Sequence, residues 1–222
     1  MESPLNVEIW SDIVCPWCYI GKRRFENALA AFPEREQVEV TYRSFELNPS
    51  PQREEDTDLA TRLARKYGVS VEEARAMNQR VSDAAAGEGL DYRLDIARPG
   101  NTFDAHRLLH LAASEGVQVE LKERLMKGYF TEGRRIGDTE ALLEMAADVG
   151  IDRVRAWEVL AGDEFADAVR RDEQEAAQLG ISGVPFFVLD RRFGVSGAQP
   201  SEMFAGALQQ AWTEREASAA NR

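Results

Sequence analysis

The feature that most constrains the fold is a change of periodicity along the chain. Over residues 6–13, in "NVEIWSDIVC", Val7 and Ile9 lie on one side of an extended segment that then runs apolar through Ile13 and Val14, as a mostly buried strand does. Tyr19, Ile20, Phe25, Ala28 and Leu29 follow at helical spacing, and Pro33 closes that helix. In "VEVTYRSFEL" the period returns to two, with Val38, Val40 and Tyr42 alternating with Glu39, Thr41 and Arg43. From about residue 53 to residue 179 it is helical throughout, in segments closed by Gly68, Gly87, Gly116, Gly133, Gly150, Gly162 and Gly180. Strand character comes back at Phe186–Leu189 and Phe193–Ser196 around a turn at 190–192, and a last helix covers about 200–216. The order is β-α-β, a large all-helical insertion, then β-β-α: an α/β fold with a discontinuous sheet domain at 1–52 and 180–222 and a helical insertion domain at 53–179, packed together around a cleft.

Local signals refine this outline. Ser70 and Glu73 have the spacing of a capping box, and Asn101 or Thr102, Asp138 and Asp163 are expected N-caps. "EGLDYRLDIARPGN" is expected to be a long loop within the helical block. Trp157 and Phe165 read as core residues.

Both cysteines of the chain lie in "SDIVCPWCYIGKRRF", at the turn from the first strand into the first helix. A chain of 222 residues, 44% of them hydrophobic, buries a core without disulfide staples, which weakens a purely structural reading of the pair. "MESPLNVEIW" has neither the basic nor the apolar region of a secretory leader, and no stretch reaches the roughly 18 apolar residues of a membrane helix, so a cytoplasmic location is expected. In a reducing compartment a close cysteine pair serves catalysis or metal binding. A net charge of −12 disfavors a nucleic-acid or anionic membrane surface and leaves proteins or small molecules as partners.

With Cys15 at the N-cap and Pro16 at the first helical position, Cys18 falls at the third. Residues so spaced have Cα atoms about 5–6 Å apart, within disulfide range. Free backbone N–H groups and the helix dipole are expected to lower the pKa of Cys15, making it the nucleophile and Cys18 the resolving thiol. Trp17 adds bulk without charge, which predicts a couple milder than a strong periplasmic oxidant. Lys22 reads as a solvated lysine; Asp12 either carries protons or shapes the strand end, and its charge would raise a nearby thiol pKa. Two alternatives stay open: inert buried thiols, and a zinc site, for which His106 and His110 are the remaining ligands.

In "GISGVPFF", Pro185 opens the returning strand in a setting common for a cis bond. Together, "DIVCPWCYIGKRRF", "NTFDAHRL", "YFTEGRRIGD" and "GISGVPFFVLDRRFGVSGAQP" resemble the DsbA family of thiol-disulfide oxidoreductases, in particular its FrnE-like group related to 2-hydroxychromene-2-carboxylate isomerases. The resemblance implies a thioredoxin-like fold, Cys15 and Cys18 as a redox-active disulfide, Pro185 in cis beside them, and the backbone of Val184 pairing with an extended substrate. Pro16, Trp17 and His106 are expected at the substrate-binding surface, and Tyr129, Phe130, Arg134 and Arg135 are candidates for the cleft wall. The isomerase branch carries serine at the first cysteine position and binds glutathione, a pattern from which this chain departs at Cys15. The expected activity is disulfide exchange with a thiol- or disulfide-containing protein or small molecule, with no cofactor beyond the dithiol itself or glutathione. The alternatives are a glutathione-dependent isomerase or transferase of a small aromatic or polyketide-like substrate, and a peptide-binding chaperone module.

Overall fold

A computed structural model of the chain describes residues 4–49 and 57–220; the expected domain boundary at 52–53 lies outside the described residues. The elements run β1 (Leu5–Ser11), α1 (Pro16–Ala30), β2 (Val38–Ser44), α2 (Leu59–Tyr67), α3 (Val71–Gly87), α4 (Phe103–Ser114), α5 (Gln118–Phe130), α6 (Thr139–Asp148), α7 (Arg153–Ala161), α8 (Ala166–Gln178), β3 (Phe186–Leu189), β4 (Phe193–Ser196) and α9 (Ser201–Ala220). The strands form one sheet in the order β2-β1-β3-β4, with β2 parallel to β1 and the other pairings antiparallel.

Alternation along β1 gives the sheet two buried faces. Leu5, Val7 and Ile9 join Phe187 and Leu189 against Phe25 of α1 and Phe204, Leu208 and Trp212 of α9. Trp10 and Val188 face the opposite way, onto Ala176 of α8 and Ile181, and the Trp10 indole N–H donates to the carbonyl of Asp172 at 2.9 Å. The first strand ends at Ser11 rather than at residue 13, because the Ile13 N–H donates to the Asp12 carboxylate at 2.7 Å and is lost to the ladder.

The outer edge of β2 is covered by side chains from the insertion. Gln118 accepts from the Tyr42 N–H at 2.9 Å and donates to the Tyr42 carbonyl at 3.0 Å, while the Ser44 N–H donates to Asp172 at 2.8 Å. Both edge residues thereby satisfy backbone groups that no neighboring strand reaches.

The insertion's own core contains Leu108, Leu109, Leu125, Met126, Tyr129, Phe130 and Met145. Cys15, Cys18, Tyr19 and Ile20 belong to this cluster, so the cysteine turn packs with the helices of the insertion. Ser70 and Glu73 form the capping box, and Asp138 caps α6 by accepting from the Glu140 N–H. At α4 the labor is divided: Thr102 is the N-cap residue, but the Asn101 side chain accepts from the Phe103 N–H at 2.9 Å.

Several expectations are corrected. α3 continues through Gly87, and Gly89, at φ +74°, is the residue that turns the chain into the 88–101 loop. Asp163 does not cap α8, which begins after Phe165 in a left-handed conformation, whereas Asp152 caps α7 by accepting from the Arg155 N–H. The last helix extends to Ala220 rather than 216. Trp157 is 55% exposed, because α7 turns Ala156 and Val159 inward and Trp157, one residue on from Ala156, projects away from that face. Phe165 is half-buried, its ring stacked 6.2 Å from that of His110.

Candidate active site

The first turn of α1 is built by local chemistry. Cys15 is its N-cap with extended dihedrals (φ −84°, ψ 113°), Pro16 occupies the position where a missing N–H costs nothing, and the Cys18 N–H donates to the Cys15 carbonyl at 3.0 Å. Both sulfurs are free thiols and buried, Cys15 at 4% and Cys18 at 2% exposure. The Cys15 S–H donates to the Val184 carbonyl at 3.6 Å, and the Val184–Pro185 peptide is cis. Trp17 is exposed, Pro16 and Val184 are half-buried, and Pro185 is buried behind them.

Two further residues, Gly21 and Tyr92, hold this arrangement. Gly21 lets α1 approach the proline loop: a Cβ there would stand 3.0 Å from Cγ of Pro185 and 3.4 Å from Ala198. Tyr92, from the 88–101 loop, donates its hydroxyl proton to the Pro16 carbonyl at 2.7 Å and stacks on Phe130 with ring centers 4.4 Å apart. Neither had a sequence signal beyond residue type, since both act on partners distant along the chain.

Behind the thiols lies a buried polar group of three. Asp12, 1% exposed, accepts from the Ile13 N–H at 2.7 Å and the Leu47 N–H at 2.8 Å, and its Oδ1 is 3.3 Å from Nε2 of His106. Burial pushes the Asp12 carboxyl up, but the bond to His106, its charge, the Leu47 amide and Lys122 outweigh that and hold it below the usual carboxylate range. An ionized Asp12 only accepts, so Nε2 of His106 is the protonated nitrogen, and its buried Nδ1 is left without a partner. His106 is 1% exposed and abuts Asp12 from α4; it lies beneath the site and not on its open side. The third member, Lys122 of α5, is fully buried, and burial lowers its amine to about 8 against the upward pull of Cys18, Asp12 and Cys15.

The Cys15 thiol is the reverse of the sequence expectation. Its hydrogen bond to the Cys18 side chain, burial, the Cys18 charge and the Asp12 charge hold its proton well above the ordinary thiol range, against a weaker opposing contribution from the Cys18 amide. A helix N-terminus is a modest influence once the sulfur is desolvated and shares a site with a second sulfur.

Lys22 is also corrected. It is 2% exposed, with Nζ 2.6 Å from Glu26 and 2.5 Å from Glu123, and Tyr19 and Arg23 join the same Glu123 carboxylate at 2.5 and 2.8 Å. This network ties α1 to α5. Tyr129 and Phe130 are core residues, and Arg134 pairs with Glu144 at 2.6 Å. His110 turns away from His106, to Asp172 at 3.1 Å and Ser44 at 3.2 Å, and among the described residues no group of three or more His, Cys, Asp or Glu has metal-holding geometry.

Two thiols on the first turn of a helix, set against a proline loop on a mixed four-stranded sheet, define a dithiol protein of the thioredoxin fold. The family model for DSBA-like thioredoxin domains matches residues 6–209, and the chain belongs to that family of thiol oxidoreductases. A probable DsbA oxidoreductase from Streptomyces coelicolor is 52% identical, with a TM-score of 0.90 over 95% of this chain and 91% of that one. The uncharacterized protein YwbO of Bacillus subtilis is 27% identical over 92% of this chain and 96% of its own length. The cytosolic disulfide reductase DsbM of Pseudomonas aeruginosa, solved with glutathione, shares the fold at 18% identity and a TM-score of 0.67, covering 93% and 98% of the two chains. Among the described residues no helix is long and apolar enough to cross a membrane.

Proposed function

We propose that the chain is a thiol-disulfide oxidoreductase that works through Cys15 and Cys18. The observation that carries this reading is the pair itself: two sulfurs on one helical turn, with the Cys15 thiol 3.6 Å from the Val184 carbonyl at the mouth of the proline loop. In the reductive direction Cys15, as thiolate, attacks a substrate disulfide; a mixed disulfide forms and one substrate thiolate leaves. Cys18 then attacks Cys15, the internal disulfide closes and the second substrate thiolate leaves. An extended substrate aligns on the backbone of Val184 by strand addition, with Trp17 and Pro16 forming the rim.

The firmly held Cys15 proton bears on the direction of exchange. A strong oxidant owes its potential to a stabilized thiolate in the reduced form, and here burial and the second sulfur oppose that thiolate. With the uncharged Trp17 between the cysteines adding nothing to that stabilization, this reading expects a couple milder than a strong oxidant of roughly −120 mV. The test combines a redox titration against glutathione with two variants. Cys15→Ser abolishes exchange with a disulfide peptide, and Cys18→Ser accumulates a mixed disulfide visible by mass. Exchange that persists in Cys15→Ser, or wild-type protein that forms no internal disulfide at any poise, refutes the reading.

A further inference from the structure

The consecutive cations Lys22, Arg23 and Arg24 of α1 do not serve the same partners. Lys22 and Arg23 meet Glu26 and Glu123, whereas Arg24, two residues on from Lys22, faces another side of the helix. There its Nε donates to Glu88 at 2.6 Å and its Nη1 to the Ala198 carbonyl at 2.7 Å. Both side chains of the ion pair are half-buried, and Glu88 is the C-cap residue of α3. The helix dipole opposes a carboxylate at that end, so the guanidinium offsets a charge that the local structure disfavors. Arg24 also lies one turn beyond Gly21, on the same face of α1, and Gly21 is the residue that lets α1 approach Ala198 and Pro185.

The segment that Arg24 holds bears directly on the proline loop. Residues 197–199 lie between β4 and α9 and are fastened at two consecutive positions. The Gly197 N–H donates to the Pro185 carbonyl at 2.8 Å, and the Ala198 carbonyl takes the Arg24 bond. Gly197, at φ +80°, turns the chain out of β4 here, and the Gln199 N–H closes back on the Gly197 carbonyl at 3.0 Å. Pro185 is thereby bonded on its β4 side, and its neighbor Val184 presents its own carbonyl 3.6 Å from the Cys15 sulfur. Ala198 packs against the apolar cluster that contains Cys15 and Cys18. A continuous path of hydrogen bonds and covalent neighbors therefore leads from Glu88 through Arg24, Ala198, Gly197 and Pro185 to Val184.

We propose that Arg24 is a positioning residue for substrate docking: by clasping the 197–199 segment to α1 it fixes the Val184–Pro185 edge, on which an extended substrate aligns, at its distance from the redox turn. The inference rests on the disulfide-exchange reading and deepens it. The Arg24 bonds go to Glu88 and Ala198, so the residue acts on the alignment of a substrate backbone and leaves the chemistry at the sulfurs to Cys15 and Cys18. With an apolar side chain at position 24 the Ala198 carbonyl and the Glu88 carboxylate lose this donor, the segment shifts on α1, and an incoming backbone meets a displaced edge.

The test compares two disulfides in wild-type protein, Arg24→Met and Arg24→Lys, each reduced beforehand and followed through a single turnover by thiol release. One probe is a linear peptide dimer joined by a disulfide; the other is hydroxyethyl disulfide, which has no backbone to align. In Arg24→Met the half-saturating peptide concentration rises about fivefold or more, as loss of a hydrogen bond to a charged group allows, while the limiting rate and the rate with hydroxyethyl disulfide stay within about twofold of wild type. Arg24→Lys keeps the charge but lacks the planar fork that serves two partners at once, so its half-saturating concentration rises about threefold or more, and it decides the matter if methionine prevents folding. A merely structural role lowers the urea midpoint without separating the two probes. Folded variants with unchanged peptide half-saturation, or with equal losses on both disulfides, overturn the inference and leave the exchange reading intact, as does a wild type that reduces hydroxyethyl disulfide but shows no saturation with the peptide. A wild type inert toward both disulfides refutes the exchange reading, and this inference with it.

Discussion

Removing the Asp12 carboxylate tests the floor of the site most directly. It accepts from the Ile13 and Leu47 N–H groups at 2.7 and 2.8 Å, and in Asp12→Ala both lose their acceptor. An orphaned buried N–H costs about 1–3 kcal/mol, or about 2–6 for two. Leu47 is 41% exposed and its amide can recover a water, so the lower half of that range, about 2–4 kcal/mol, is expected. Against a total of about 5–15 kcal/mol this is a large fraction, and it moves a urea midpoint down by about 1 M or more. The pH dependence gives a second readout. The folded-state pKa of Asp12 is depressed, so its ionization stabilizes the fold above the unfolded value of about 3.9, and that contribution is lost as pH falls through the folded value. The stability gap between wild type and Asp12→Ala is therefore full at pH 7 and narrows below about pH 4. Urea unfolding of the reduced proteins at pH 7 and at a series of acid pH values measures both effects. A gap under 1 kcal/mol at pH 7, or one that stays flat into acid, refutes the argument.

Two further substitutions probe the packing. Gly21→Val places new carbons about where Cγ of Pro185 already stands, and overpacking of this kind costs about 1–3 kcal/mol; a variant as stable as wild type in urea, with unchanged exchange rates, shows that α1 and the proline loop have room to spare. Trp157→Ser, on the exposed side of α7, changes stability by no more than about 0.5 kcal/mol, and a loss above 2 kcal/mol by the same measurement returns Trp157 to the core.

What could be read from the sequence was what local chemistry decides. The β-α-β start, the helical block and the β-β-α finish follow from apolar period, and the capping box at Ser70 and Glu73 from a spacing of three residues. The cysteines at the head of α1 follow from a proline at its first position. What could not be read depends on partners far along the chain. Lys22 has the sequence context of a surface residue and becomes buried because Glu123, on α5, arrives beside it. Lys122 has an ordinary amphipathic context, and only the approach of α5 to the end of β1 puts its amine under Ser11. Trp157 errs the other way: periodicity marks apolar residues, but which of them face inward was settled by how α7 rests on its neighbors. The acidity of Cys15 is not legible in sequence because only the helix terminus is visible there, whereas desolvation and the mutual influence of the two sulfurs arise in the packed state.

The side chains along β2 have a bearing on how the molecule meets others. At Tyr42 a carboxamide reproduces the donor and acceptor of a neighboring strand, and at Ser44 a carboxylate takes the next outward N–H. In hydrogen-bonding respects the helical insertion stands in for a fifth strand, so the sheet is terminated on that side by side-chain chemistry. A strand from another molecule reaching this edge finds its docking groups at Tyr42 and Ser44 already occupied, and edge-to-edge growth into larger sheets is blocked there. Growth at the opposite border depends on β4, whose four residues offer a short template.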